Sequence, residues 1–274
     1  MAEPLVSIVI PTYNRLLQLA ELADALSRQS FQDFEVIIVN DFGEKVDGIK
    51  ELYPNLNISI VEMEQNSKHV HARNKGVLDA SGEFIMLIDD DDLILPKHLE
   101  TMLAEIHGYD LVYSDVEIVN FRMENHVRVP ADRFLFAYDM DLQAMRRFST
   151  FVSSGCLYRR EIHQTLGLFD TDVYNYWDWD FFLRVSEQYR VKRVPIAGVL
   201  YDFSDTNNNQ SKVPSSRRFY LDKLVEKHNL GDRPTENFFT LLNQPEVVRR
   251  KAESQIVWDG QPFVSKLTLQ LLEK

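Results

Sequence analysis

The sequence predicts an α/β fold in which a mainly parallel central sheet is flanked by helices and followed by a C-terminal helical extension. Two continuous apolar runs support it, LVSIVI at residues 5–10 and FEVIIV at residues 34–39, with helically spaced apolar residues between them. Strands that are apolar on both faces are typical of buried parallel sheets, and the intervening helix completes a βαβ unit. The chain has 274 residues and is 45% hydrophobic, which is enough for a large core.

The same alternation continues through the first ninety residues of the sequence. A third apolar run covers residues 58–63, a helix is predicted over 70–80 with Gly82 closing it, and a fourth run covers 84–89. We therefore expect four parallel strands. Because ligands of such sheets bind beyond the carboxyl ends of the strands, the polar residues that follow each run are predicted to form one site.

The second half of the chain alternates less regularly. Apolar and aromatic patterns predict strands at 110–121 and 151–160, an aromatic helix at 174–189 and a final strand at 191–203. Residues 121–150 are mixed in character, and residues 204–216 are polar and rich in turn formers. Two or three helices are expected from residue 217 onward, and their periodicity does not decide whether they pack on the core, dimerise or touch a membrane.

Charge and cysteine content exclude several functions. The formal charge of -12 argues against nucleic acid as a partner, because binding a phosphate backbone requires a basic face. Cys156 is the only cysteine, so no intramolecular disulfide can form, which fits the reducing cytosol. No stretch is long and apolar enough for a transmembrane segment. We expect a cytoplasmic protein. The sequence does not decide whether it attaches peripherally to the inner membrane face or forms an oligomer.

The run IDDDD places four aspartates, Asp89 to Asp92, directly after the fourth apolar run. Neighbouring carboxylates resist common ionisation unless a cation neutralises them, and Mn²⁺ or Mg²⁺ prefers such oxygen ligands. The alternative is a structural role, above all for Asp92, which could cap a short helix that begins near Pro96. The ligand spacing of an EF-hand and the glycine-rich phosphate loops are absent from the sequence.

Four segments resemble the inverting family 2 glycosyltransferases, which have the GT-A fold with a Rossmann-like central sheet. They are VSIVIPTYNR, FEVIIVND, QNSKHVHARNKGVLDASGEFIMLIDDDD and YWDWDFFLR, and in order and spacing they cover roughly residues 4–205. The resemblance implies a GT-A catalytic domain over residues 1–215. Its nucleotide-sugar half would cover about 1–110 and its acceptor half about 111–215, and the helical extension would cover 216–274.

The resemblance also assigns residues to the donor. Tyr13 would stack on the nucleotide base, with Pro11 and Thr12 shaping the pocket, and Asp41 would accept hydrogen bonds from the base edge. Asp89 or Asp90 would contact the ribose, and Asp91 would bind the divalent metal that bridges the diphosphate. Arg73 and Asn74 match a segment that lines the donor pocket, although Arg73 could instead pair with the aspartates.

The helix YWDWDFFLR places Asp178 where the family has its general base, with Trp177 replacing an acid. A carboxylate there would take the proton of the acceptor hydroxyl in a single inverting displacement. Asp180 is two residues further on and should face elsewhere. Trp177 and Trp179 are candidates for acceptor contacts, although aromatics at helical spacing more often belong to the core.

One departure from the family concerns the metal site. Relatives carry a Tyr-Arg-x-His sequence after the last strand, whereas this chain has Tyr201-Asp202-Phe203-Ser204 and lacks the histidine. Asp205 or a closing loop at 207–211 could replace it. The resemblance implies transfer of a sugar from a nucleoside-diphospho-sugar, most simply a UDP-sugar, to a saccharide or lipid-linked acceptor. The alternative is a non-catalytic nucleotide-sugar or glycan-binding module of the same fold.

Overall fold

The structure is a computed structural model that describes residues 3–204, 214–235 and 238–273. In this part of the chain ten strands form one sheet. The strands are Val6–Thr12 (β1), Phe34–Asn40 (β2), Ile58–Glu62 (β3), Phe84–Leu87 (β4), Leu93–Ile94 (β5), Leu111–Glu124 (β6), Val127–Phe136 (β7), Leu157–Arg159 (β8), Val191–Asp202 (β9) and Gln255–Ile256 (β10).

Helices cover both faces of the sheet. They are Leu16–Ser27 (α1), Gly48–Leu52 (α2), His69–Asp79 (α3), His98–Glu105 (α4), Leu142–Met145 (α5), Ile162–Leu166 (α6), Trp177–Gln188 (α7), Pro214–His228 (α8), Phe238–Leu242 (α9), Pro245–Val248 (α10) and Lys266–Leu272 (α11), with a 3₁₀ helix at Thr171–Tyr176. None of these described helices has the length and apolarity that a bilayer crossing requires.

The strand order is β10-β9-β6-β8-β4-β1-β2-β3, with β5 on β9 and β7 on β6. The four strands of the first ninety residues are parallel to one another, as predicted. The antiparallel strand β8 joins β4 to β6, and β6 in turn pairs with β9 in parallel. One hydrogen-bonded sheet therefore passes through both halves of the molecule, and the predicted α/β class with a mainly parallel sheet is confirmed.

Two apolar clusters, one on each face of the sheet, form the core. One packs α1, α2 and α4 against the sheet, and the other packs α3, α6 and α7. Gly76 on α3 lets that helix approach β1, since a Cβ added there would lie 2.4 Å from Val9 Cγ1. Cys156 is a buried free thiol in the second cluster, in agreement with a core role.

Strand β7 was not predicted. It pairs with β6 as a long hairpin, and the register shifts where Phe121 lies opposite Pro130. Because proline cannot donate to a ladder, its place in a sheet is an edge or a bulge, and Pro130 lies at such an irregularity. The mixed composition of residues 121–150 thus conceals a strand that brings Arg128 back towards α1.

The C-terminal segment has more elements than predicted. The described residues after 213 form four helices and the short strand β10, which extends the sheet beside β9. Helix α11 packs on α1, where the Lys266 backbone N–H donates to the Tyr53 hydroxyl at 3.1 Å. The division into a domain at 1–215 and an extension at 216–274 stays a prediction.

Candidate active site

A cleft of about 1940 Å³ lies beyond the carboxyl ends of β1, β2 and β4. The side chains that line it come from the loops after these strands, from α7 and from the segments that follow β9. Nearly every predicted site residue is among them: Pro11, Thr12, Tyr13, Asp41, Arg73, Asp89, Asp90, Asp91, Trp177, Asp178 and Trp179. The folding of a parallel sheet explains this convergence, because the carboxyl ends of its strands share one edge.

At the end of β1, Tyr13 presents a half-exposed ring to the cleft, with 48% of its surface accessible. Thr12 is buried beside it and donates from Oγ1 to Asp90 Oδ2 at 2.7 Å. This bond ties the first strand to the aspartate loop after β4. An exposed aromatic face in a cleft offers a planar surface on which a base can stack.

Asp41 follows β2 and organises the loop before α3. Its Oδ1 accepts the Ser67 backbone N–H at 2.7 Å, and its Oδ2 accepts that of Lys68 at 2.8 Å. Lys68 has a φ of 74°, in the left-handed region that non-glycine residues rarely adopt. The two hydrogen bonds that the Asp41 carboxylate accepts thus support a strained turn that places His69 and Arg73 at the cleft.

The four aspartates of the run have different surroundings. Asp90 and Asp91 are buried and share the Arg15 guanidinium, with Nη1 at 3.0 Å from Asp90 Oδ1 and 2.7 Å from Asp91 Oδ2. Asp89 is partly exposed and pairs with Arg73. Since Asp90 accepts from both Thr12 and Arg15, its carboxylate holds β1 and the start of α1 to this loop.

Asp92 is not a helix cap. Helix α4 begins at His98, with Lys97 as the preceding residue and no side chain capping it. The Asp92 carboxylate instead accepts the Ser154 hydroxyl and, at 2.9 Å, the Asp202 backbone N–H. The capping interpretation was wrong because the chain after Asp92 first forms the short strand β5 before the helix starts.

Carboxylate oxygens of Asp89, Asp91 and Asp92 lie within 4.8 Å of one another. Burial raises the pKa of Asp91 to about 7, with the neighbouring carboxylates of Asp90 and Asp89 adding to the rise and Arg15 opposing it. Burial also raises the pKa of Asp92. A divalent cation would relieve this repulsion, and an all-oxygen donor set of this size fits Mg²⁺ or Mn²⁺.

Arg128, which the sequence analysis did not single out, lies among the residues that support this loop. Its side chain is 5% exposed and reaches Glu21 Oε2 at 2.5 Å through Nε. Its Nη1 donates to the Asp91 carbonyl oxygen at 2.7 Å and to Asp202 Oδ2 at 2.9 Å. One guanidinium from β7 therefore links α1, the aspartate loop and the end of β9.

Arg73 pairs with Asp89, as one of its two predicted roles required, and also lines the cleft. Its guanidinium carbon lies 4.2 Å from the centre of the Trp177 ring, and Nη1 lies 2.6 Å from His69 Nδ1. Because a guanidinium only donates, Nδ1 accepts, and the neutral ring carries its proton on Nε2. Burial lowers the pKa of His69 well below its usual value, which is consistent with that neutral form.

Asn74 does not belong to the cleft lining. Its amide nitrogen donates to the Phe169 carbonyl oxygen at 2.9 Å, and its amide oxygen accepts the Phe169 backbone N–H at 2.9 Å. Both ends of the amide are thus used to fasten the loop before the 3₁₀ helix to α3. The adjacent Arg73 points the other way, since neighbouring positions on a helix face different directions.

Asp178 lies in the first turn of α7, half-buried in the cleft wall. Its Oδ1 accepts the Trp179 backbone N–H at 2.8 Å. Burial raises its pKa to about 6, Trp179 and Arg73 oppose the rise, and Asp89 adds to it. A carboxylate with such a pKa is ionised at neutral pH and still basic enough to accept a proton.

The neighbours of Asp178 on α7 are largely structural. Asp180 is fully buried and pairs with Arg184 at 2.8 Å, Lys227 at 2.7 Å and His228 at 2.8 Å, so it faces away from the cleft as predicted. Trp179 donates from Nε1 to the Met145 carbonyl oxygen at 2.9 Å. Trp177 and Trp179 are 6% and 8% exposed, so each offers the cleft only a small part of its ring.

The end of β9 carries no histidine. Asp202 lines the cleft and is buried, and its carboxylate accepts from Arg128 and from the Ser204 backbone N–H at 2.8 Å. The substitute ligand Asp205 and the predicted closing loop at 207–211 lie outside the described residues.

The chain is similar to known proteins along most of its length. The family model described as glycosyl transferase family 2 matches residues 7–167. An uncharacterized glycosyltransferase of Bacillus subtilis, YwdF, is 54% identical over 96% of this chain and 98% of its own length. A PGL/p-HBAD biosynthesis glycosyltransferase of Mycobacterium bovis is 30% identical, covering 67% of this chain and 70% of the relative.

Solved structures share the fold. TarS of S. aureus in complex with UDP-GlcNAc aligns with a TM-score of 0.65 at 20% identity, over 89% of this chain and 72% of that one. The mannosyltransferase PcManGT of Pyrobaculum calidifontis, in complex with GDP-Man and Mn²⁺, aligns with a TM-score of 0.59 at 20% identity, over 85% and 67%. These neighbours confirm the GT-A fold. The matching family model and the Bacillus subtilis relative show that the chain belongs to glycosyl transferase family 2 and is a glycosyltransferase.

Proposed function

We propose that the chain transfers a sugar from a UDP-sugar to a hydroxyl group of a saccharide or lipid-linked acceptor, with inversion and with the help of a divalent metal. The observation that carries the proposal is the shared cleft of the aspartate loop and Asp178. Arg73 connects the two, since it pairs with Asp89 and lies over Trp177, the neighbour of Asp178.

On the donor side, Tyr13 stacks on the base and Asp41, with Pro11 and Thr12, shapes the base pocket. Asp89 is the ribose contact, because the Asp90 carboxylate is occupied by Thr12 and Arg15. The TarS and PcManGT complexes contain UDP-GlcNAc and GDP-Man respectively, which supports a nucleoside-diphospho-sugar as donor.

Asp91, with Asp89 and Asp92 beside it, would hold Mn²⁺ or Mg²⁺. When bound, the ion supplies positive charge to the leaving diphosphate. Asp178 removes the proton of the attacking hydroxyl: Oδ1 is fixed by Trp179, and Oδ2 is left for the acceptor. One base and no protein nucleophile give a single displacement and an inverted anomeric centre.

The test is Asp178→Asn, assayed for donor hydrolysis and transfer with a panel of UDP- and GDP-sugars. We expect turnover to fall by about 10²–10⁴-fold while UDP binding is unchanged, because the amide cannot accept the proton. Asp172→Asn is the matched control, since Asp172 precedes the same helix and its side chain is 80% exposed. Equal turnover in the two variants would remove Asp178 from the mechanism.

The absent histidine supports the second candidate, a non-catalytic nucleotide-sugar or glycan-binding module. Such a module would bind UDP but hydrolyse no donor of the panel, even with metal. The cytoplasmic location remains a prediction from the cysteine content.

A further inference from the structure

Four arginines line the cleft outside the loops that carry the aspartates: Arg217, which lies on α8, and a group of three. Arg147 follows α5, Arg233 follows α8 and Arg250 follows α10. In the described part of the chain neither Arg147 nor Arg233 nor Arg250 forms an ion pair with a carboxylate. The side chains of Arg233 and Arg250 donate to backbone carbonyls and, in the case of Arg250, to a hydroxyl. The cleft arginines of the donor side, Arg15 and Arg73, both pair with aspartates.

Arg250 is a buried cation of this group, with 9% of its surface exposed. Its Nη2 donates to Thr150 Oγ1 at 2.8 Å, its Nη1 donates to the Phe148 carbonyl oxygen at 3.2 Å, and its Nε has no partner among the described residues. Burial lowers its pKa. Asp141 and Asp139 are close enough to oppose that fall, but neither forms an ion pair with Arg250 in the described residues, so an anion at this position would stabilise the buried guanidinium.

Arg147 lies next to this cation along the chain, because it directly precedes Phe148, whose carbonyl oxygen Arg250 contacts. It is exposed and lines the cleft, and its side chain makes no hydrogen bond or ion pair within the described ranges. Of the carboxylates nearby, Asp141 accepts the Gln143 and Ala144 backbone N–H groups at the start of α5, and Glu246 is exposed on α10. In the described residues neither Asp141 nor Glu246 forms an ion pair with Arg147 or Arg250, so both arginines lack an ion-pair partner in the cleft.

The walls beside these cations are aromatic. Phe136 and Phe238 stack with ring centres 5.9 Å apart, and Phe148 and Phe151 line the same cleft. Guanidinium groups match the geometry of phosphate oxygens, and aromatic walls favour an apolar or ring-shaped neighbour of that phosphate. We infer that this end of the cleft is the acceptor subsite and that the acceptor carries a phosphate group, held by Arg147 and Arg250.

This inference rests on the proposed function, because it names the acceptor of that same transfer. The test measures the affinity of the protein for decyl phosphate and for glycerol 3-phosphate by calorimetry. The donor site is filled with UDP and Mg²⁺ during these measurements. Decyl maltoside serves as the uncharged probe with the same alkyl chain. The variant is Arg147→Glu, and the matched control is Arg249→Glu, since Arg249 is exposed and lies outside the cleft lining.

We expect the wild type and Arg249→Glu to bind a phosphate probe equally. Arg147→Glu should bind it at least about tenfold more weakly, because a charge-assisted contact is replaced by repulsion. Tighter binding of decyl phosphate identifies a lipid phosphate as the source, and equal binding of the two probes identifies a polyol or sugar phosphate. The inference is overturned if neither phosphate binds, if decyl maltoside binds as tightly as decyl phosphate, or if the two variants behave alike.

Failure of the proposed function would look different. A wild type that does not bind UDP with any divalent ion would refute the donor assignment, and the contrast between the Arg147 and Arg249 variants would still decide whether the phosphate subsite exists.

Discussion

Replacing Arg128 with methionine should destabilise the protein strongly while preserving the size of the side chain. The change leaves Glu21 and Asp202, 1% and 2% exposed, without their shared cation. Removing one partner of a buried ion pair typically costs about 3–5 kcal/mol, because the remaining charge is buried and uncompensated. The Asp91 carbonyl oxygen also loses a donor that lies at 2.7 Å. We therefore expect the free energy of unfolding to fall by about 3–5 kcal/mol.

Urea unfolding followed by tryptophan fluorescence measures this change, since three tryptophans report on the core. Arg122→Met on the partner strand β6 is the matched control, because the Arg122 side chain is 64% exposed and its ion pair with Glu124 faces solvent. Loss of this pair should lower the free energy of unfolding by less than about 0.5 kcal/mol. Adding Glu21→Met to Arg128→Met should recover part of the loss, because it removes one unpaired carboxylate. The reasoning is refuted if Arg128→Met and Arg122→Met differ by less than about 1 kcal/mol.

Three further predictions concern titration and binding. Transfer should increase as the pH rises through about 6, where the Asp178 carboxyl loses its proton, and a rate that stays flat between pH 5 and 7 would contradict its role as base. Because the pKa of Asp178 is raised in the folded state, ionisation of this carboxyl destabilises the fold at pH values above that pKa. The melting temperature of Asp178→Asn should therefore exceed that of the wild type at pH 7.5 but not at pH 4.5. UDP with Mn²⁺ at about a hundred times its Kd should stabilise the native state by about 2.7 kcal/mol, seen as a higher melting temperature that Asp91→Asn loses. An equal shift with UDP alone would show that the ion does not contribute.

The donor half of the fold was predictable because its signals are local. Strands β1, β2 and β4 are mainly apolar and buried, and each is followed by polar residues that line the cleft at one edge of the sheet. The helix predicted over 70–80 corresponds to α3, His69–Asp79. Strands β1, β2 and β3 are neighbours in the sheet in their chain order, so their pairing depends on short connections.

The remaining contacts could not be predicted because they join distant parts of the chain. Arg128 bonds to residues 107, 37 and 74 positions away, and nothing near it in sequence marks those partners. Asp92 likewise bonds to Ser154, 62 positions away, which turned a supposed cap into a loop anchor. Strand β7 was hidden because Pro130 and charged side chains interrupt its alternation. Sequence patterns report periodicity and local charge, whereas these contacts depend on topology.

The unbroken sheet that runs from β3 to β10 has a mechanical consequence for turnover. In the described residues β8 pairs with both β4 and β6, so the two halves are hydrogen-bonded strand by strand, unlike enzymes that close by rotation of separate domains. The spacing between the aspartate loop and Asp178 is then set when the chain folds rather than when the substrate arrives. If these groups act as proposed, the sheet holds them in position before either substrate enters.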